Sequence, residues 1–244
     1  MRRTREIIQA ARETNLSDED GVAVYPKLLP GLTEQQIDEL SDSLVAPLPE
    51  EVRELLAFCS GIEGLLAGVD FTGRRLDAQS EEVLLPHGIS IAADGYGNGW
   101  TVDLQPDSPE WGPIYYCCHD APVVLVQSPN LQHFVSELFK MYTPPYKSLV
   151  DDVHEDRLFE VWRTNPGVIP HATAMASPDP EIQAFAGTLD PGFQVIDLRC
   201  APVGMGLSWG RYGVDTELRR FGTKAIFAYK RAEKSGWFSR LFRR

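Results

Sequence analysis

The run Cys117-Cys118-His119-Asp120 places a thiol, an imidazole and a carboxylate side by side, the groups from which a cysteine nucleophile and its base could be assembled. In an extended chain, neighbouring side chains point to opposite faces, so Cys118 and His119 diverge, and Cys117 and Cys118 cannot easily close on one metal ion. No Gly-x-Ser-x-Gly turn accompanies His119-Asp120, and a histidine closing a β-turn is the simpler reading. His87, His119, His133, His154 and His171 lack the i, i+4 spacing and the glutamate of a helical zinc site. Gly95-x-Gly97-x-Gly99 departs from the dinucleotide spacing and leads into a strand, so it offers a phosphate no helix N-terminus. The sequence predicts no metal, no cofactor and no catalytic set, with an enzyme built on Cys118, His119 and Asp120 as the least favoured alternative.

Composition narrows the partners. The net charge of −12 is concentrated in residues 1–150, where 10 Lys and Arg stand against 23 Asp and Glu. That field repels nucleic acid and suits a basic protein, although acidity alone is more simply an aid to solubility. No run approaches the roughly 20 apolar residues of a membrane span, and the start Met1-Arg2-Arg3-Thr4-Arg5-Glu6 lacks an apolar signal core. The expectation is a cytoplasmic protein whose four cysteines are reduced and mostly buried.

The elements that would position these groups follow from periodicity. A short helix is predicted over Arg3 to Thr14, then loop from Ser17 to Gly31. A second helix follows from the Thr33/Gln36 capping box, and a third from Glu50 to Cys59, with Val52, Leu55 and Leu56 on its apolar side. Ile89–Ala92 and Trp100–Leu104 form a hairpin around Asp94-Gly95-Tyr96-Gly97-Asn98-Gly99, and Ile114–Cys118 and Val123–Gln127 extend the sheet. Ser128 is the expected N-cap, with Pro129 at the first position, of a helix that ends before Pro144-Pro145 and covers one sheet face. Beyond lie a helix from Asp151 to Arg163, ended by Asn165-Pro166-Gly167, and strands at Phe193–Arg199 and Thr223–Tyr229. The fold class is α+β, an antiparallel sheet flanked by helices with a C-terminal extension of helix and strands. The expected organisation is a lead over 1–30, an α+β domain over 31–145, a mixed extension over 146–235 and a basic aromatic tail over 236–244. The tail carries the pattern of a weak membrane-surface contact, with a solvated or internally docked tail as the simpler reading.

Several stretches resemble the SMI1/KNR4 (SUKH) family: Leu48-Pro49-Glu50-Glu51-Val52 through Ser60-Gly61, Ile89 through Trp100, Asp103, Trp111-Gly112-Pro113-Ile114-Tyr115, and His119-Asp120. The resemblance covers about Gly31 to Tyr142. It implies an α+β domain whose bacterial members act as immunity proteins against toxins, often nucleases, and whose fungal members are regulatory interaction proteins. Neither role is enzymatic. Carried over, Asp94, Gly95, Gly97, Asn98, Trp100, Asp103 and His119 are expected to be chiefly structural. Asp107, Glu110, Trp111 and Asp120 are the expected contacts to a basic protein toxin. A regulatory or structural interaction module without a toxin is the alternative.

Overall fold

The computed structural model describes residues 3–76, 82–106, 108, 110–209 and 216–231. The expected contact Asp107 and the tail over 236–244 lie outside the described residues.

Helix α1 (Thr4–Arg12) is followed by three two-residue strands, β1 (Leu16–Ser17), β2 (Ala23–Val24) and β3 (Lys27–Leu28). The expected loop from Ser17 to Gly31 is thus partly ordered into strands. The reason is tertiary, because β3 pairs with β4 (Gly61–Glu63) and closes one sheet edge. Between them α2 (Glu34–Ser43) starts at the predicted capping box, with Gln36 N donating to Thr33 Oγ1 and Thr33 N donating to Gln36 Oε1. Helix α3 (Glu50–Phe58) carries Glu50 and Glu51 in its first turn. Glu51 accepts both the backbone N–H and the hydroxyl of Thr4, which ties α1 to the start of α3.

The strands β5 (Gly68–Asp70), β6 (Gly88–Ala93), β7 (Gly99–Asp103), β8 (Ile114–Cys118) and β9 (Val123–Ser128) continue an antiparallel eight-stranded sheet. Helix α4 (Leu131–Lys140) is capped by Asn130, whose Oδ1 accepts from His133 N, and not by Ser128. Ser128 closes β9 opposite Ile114, and its hydroxyl donates to the Asn130 carbonyl, so it is committed to the sheet. One continuous helical path then runs through α5 (Leu149–Asp151), a π-helical turn (Asp152–Arg157) and α6 (Leu158–Thr164), ending on Asn165 in the left-handed region at φ 48°.

The rest is a second layer. The elements β10 (Ile169–Pro170), α7 (His171–Met175), α8 (Pro180–Gly187), β11 (Phe193–Asp197), β12 (Gly206–Ser208), β13 (Glu217–Arg220) and β14 (Ile226–Lys230) follow in order. Strands β10, β11, β14 and β13 form a four-stranded sheet, while β12 crosses over to pair with β9 as the last strand of the large sheet. The free edge of β12 is capped by a side chain. Asn165 accepts from Ser208 N at 2.9 Å and donates to Ser208 O at 2.9 Å, as a neighbouring strand would.

Alternation along β8 and β9 decides which layer each residue joins. Ile114, Tyr116, Cys118, Val123 and Leu125 face the helices and join the core that holds Ile8, Leu55, Phe134 and Val161. Tyr115, Cys117, Val124 and Val126 face the other way and pack with Ile196, Leu218, Phe227 and Tyr229 of the small sheet. The large sheet is therefore covered on both faces by its own chain. At the end of β7 the two layers are joined by an ion pair. Arg220 donates to both oxygens of Asp103 at 2.8 and 2.7 Å, with side-chain exposures of only 5% and 0%.

Candidate interaction surface

The β6–β7 loop is built around one carboxylate. Asp94 Oδ1 accepts from Tyr96 N at 2.7 Å and Asn98 N at 3.1 Å, and Oδ2 accepts from Asn98 Nδ2 at 2.6 Å. Gly95 and Gly97 stand at φ +87° and +91°, where a β-carbon would be strained. Gly99 instead begins β7, paired with Ala93 and Cys117. Because Asn98 donates its amide N–H to Asp94, its Oδ1 faces His119 and accepts from both His119 N (3.0 Å) and His119 Nδ1 (2.8 Å). Nδ1 therefore carries a proton, and Nε2 lies 3.3 Å from Asp120. On the far side His154 Nε2 comes within 3.4 Å of Asp94, its ring packed against Tyr116 and Trp100. Burial pushes the Asp94 carboxyl up, but the hydrogen bonds from Asn98 and Tyr96 outweigh it and leave the group below its ordinary value.

Trp100 and Asp103 are likewise taken up inside the protein. Trp100 is 1% exposed, and its Nε1 donates to Gln127 Oε1 at 2.9 Å while Gln127 Nε2 reaches Leu149 O at 3.0 Å. One buried side-chain relay thus joins β7, β9 and α5. Asp103 is buried against Arg220.

The Cys118, His119, Asp120 trio does not assemble. Cys118 Sγ lies in the helix-side core, where burial pushes its thiol up and away from the thiolate, and it accepts from Ala121 N at 3.5 Å. His119 turns its ring to Asn98 and Asp120.

Of the expected contact residues, Glu110 and Asp120 are exposed, but they occupy the connections at opposite ends of β8 and form no common patch. Trp111 lies elsewhere. It is 4% exposed and packs in the helix-side core, with no partner for its indole N–H.

The residues that sequence reasoning missed lie at the Asp120 end. Strand pairing brings the β2–β3 link, the β4–β5 turn, the β6–β7 loop and the β8–β9 turn to the same end of the large sheet. Tyr25 and Tyr96 stand there, 83% and 80% exposed, and the Asp120 side chain at the same end of the sheet is 80% exposed. The Gly-Tyr-Gly sequence was a usable signal, since an aromatic at the tip of a tight loop cannot fold back to a core. Nearby, Asp151 has its carboxyl raised to about 6, first by burial and then by the negative charges of Glu155 and Glu19. Carboxylates from the loop after β1 and from the π-helical turn therefore share one acidic area. Among the described residues no group of three His, Cys, Asp or Glu side chains could hold a metal ion, and no helix is long and apolar enough to cross a membrane.

An antiparallel sheet with helices on one face, and a hairpin locked by Asp94 and Asn98, defines an α+β domain in which Asp94, Asn98, Trp100 and Asp103 bond to other residues of the chain. Residues 31–137, from the approach to α2 into α4, match the model of the SMI1/KNR4 family (SUKH-1), the family that the sequence resembles. No curated protein and no solved structure matches the chain.

Proposed function

We propose that the protein is a non-enzymatic, protein-binding immunity protein of the cytoplasm, which neutralises a basic, nuclease-type toxin by covering it with the turn end of its large sheet. The observation that carries this reading is a coverage argument. Both faces of the sheet are packed by the chain itself, the β12 edge is capped by Asn165, and the Asp103 end is joined to Arg220. The turn end instead presents Tyr25, Tyr96 and Asp120 to solvent, and Asp151 lies within electrostatic reach of His154, which touches Asp94 of the β6–β7 loop. Exposed tyrosines supply contact area at little entropic cost, and surrounding negative charge steers a basic partner. The match to the SMI1/KNR4 family supports the same reading.

The test is co-purification from the native host with the full chain and with a Tyr25→Ala, Tyr96→Ala, Asp120→Lys variant. The expected result is a basic protein retained by the first and lost by the second, with retention weakening as salt rises. An acidic partner, or equal retention by both chains, overturns the proposal.

A further inference from the structure

Helix α1 precedes the family domain in sequence and creates a groove on it that protein binding at the turn end leaves unused. Between α1 and α4 runs a groove of about 670 Å³, within the size range of small-molecule sites. Ile7, Ala10 and Ala11 form one wall, at the i, i+3, i+4 spacing that shares a helix face. Phe139 contributes a further apolar surface, and His133 and Lys140, two turns apart on α4, supply the polar wall.

Charge identifies the occupant. In a chain of net charge −12, none of the described residues lining this groove is Asp or Glu. Lys140 is half exposed, and it directs one N–H to the buried carboxylate of Glu137, which also accepts from Leu149 N. An ammonium carries three N–H groups, so donors remain for a ligand. His133 adds no negative charge. Ser128 Oγ gives its proton to Asn130 O and so accepts from His133 Nδ1 at 2.8 Å, which fixes the ring proton on Nδ1.

We propose that this groove binds an amphipathic carboxylate, with an acyl chain along Ile7, Ala10, Ala11 and Phe139 and its carboxylate on Lys140. Calorimetric titration of the full chain with dodecanoate, below its micellar concentration, tests it against dodecanol. Saturable one-to-one binding is expected, about tenfold weaker for the alcohol and for Lys140→Gln, as befits a charge-assisted contact. Ala10→Trp, from a half-buried position, fills the groove and should abolish binding while keeping the thermal midpoint; Ser136→Trp, from the opposite wall, serves if that variant is unstable. Failure of dodecanoate to saturate, equal binding of the alcohol, or undiminished binding to the filled groove each overturns the proposal. So does a dimer of the native chain that becomes monomeric in Ala10→Trp, because the occupant is then a second copy.

Discussion

Replacing Arg220 with Met leaves Asp103 as a carboxylate with 0% side-chain exposure and no cation. Arg220 donates to both Asp103 oxygens, and also to Leu84 O at 2.7 Å, Thr223 O at 2.5 Å and Lys224 O at 3.1 Å. Removing one member of such a pair destabilises by about 3–5 kcal/mol, because the remaining charge stays buried with Gln105 as a far weaker partner than the guanidinium. For a chain of this size, that lowers the thermal midpoint by roughly 6–20 °C. Burial already pushes the Asp103 carboxyl up, and Arg220 holds it down. Without Arg220 the folded-state pKa rises further above the unfolded one. The sign of the linkage follows: the penalty is full above the folded pKa and fades as pH falls through it, since the folded state then takes up the proton.

Differential scanning calorimetry across pH reads both effects. The two cores meet along β8 and β9, so a single transition is expected to move as a whole. Asp103→Leu combined with Arg220→Met should recover most of the loss, because it removes the stranded charge, although Leu84 O stays without its donor. A midpoint change of less than about 2 °C in the single variant, or a second transition that alone responds, refutes the view that this pair fastens the extension to the family domain.

Three further outcomes are expected. Gly97→Val should lower stability by roughly 1–2 kcal/mol or more in urea denaturation, because φ is +91° and a β-carbon would sit 2.9 Å from His119 Cε1; an unchanged midpoint would rule out a positive φ there. Asn165→Ala strands Ser208 N and Ser208 O, so a loss of about 2–4 kcal/mol and faster exchange of the Ser208 amide should appear by hydrogen exchange and denaturation. Asp151, raised to about 6, destabilises the folded chain above that pH and has no effect below about 4, where both states hold the proton. Asp151→Asn should thus stabilise by order 1 kcal/mol at pH 8 once solvent screening is allowed for, and by nothing at pH 4; a gain that is the same at both pH values contradicts the assignment.

Much of the frame was legible because local signals agreed with it. The Thr33/Gln36 box, the apolar side of α3, the hairpin around Asp94 and the helix stop at Asn165 each follow from a few neighbouring residues. The uninterrupted apolar runs of β8 and β9 also carried more than was read from them. A strand covered on one face alternates, whereas Val123 to Val126 does not, which predicts a layer on each side. The occupant of the second face was not legible. Its strands are short or polar, as Glu217-Leu218-Arg219-Arg220 shows, and Arg220 reads as a surface residue until Asp103 stands opposite. The burial of Trp111 was not legible for the same reason, since sequence gives an aromatic no address in the third dimension. The Ser128 cap failed because Asn130, two residues on, caps equally well once β9 has claimed the serine.

At the turn end the residues that hold the frame and those that face solvent are separate. Asp94, Asn98 and His119 hold one another through a connected set of hydrogen bonds, and Trp100 is fixed through Gln127, so substitution there strands a partner inside the protein. Tyr96 sits two residues from Asp94 in the same loop, yet it is 80% exposed, and its backbone N–H, not its side chain, serves the frame. Replacing it should change stability by no more than about 0.5 kcal/mol, the usual range for an exposed position. The same holds for Tyr25 and Asp120. Tyr96→Ala and Asp94→Ala compared in one denaturation series separate the two roles: a small change for the first beside a loss of at least about 2 kcal/mol for the second is expected, since Asp94 alone satisfies Tyr96 N, Asn98 N and the Asn98 amide. Equal losses would mean that the loop tip is itself part of the frame.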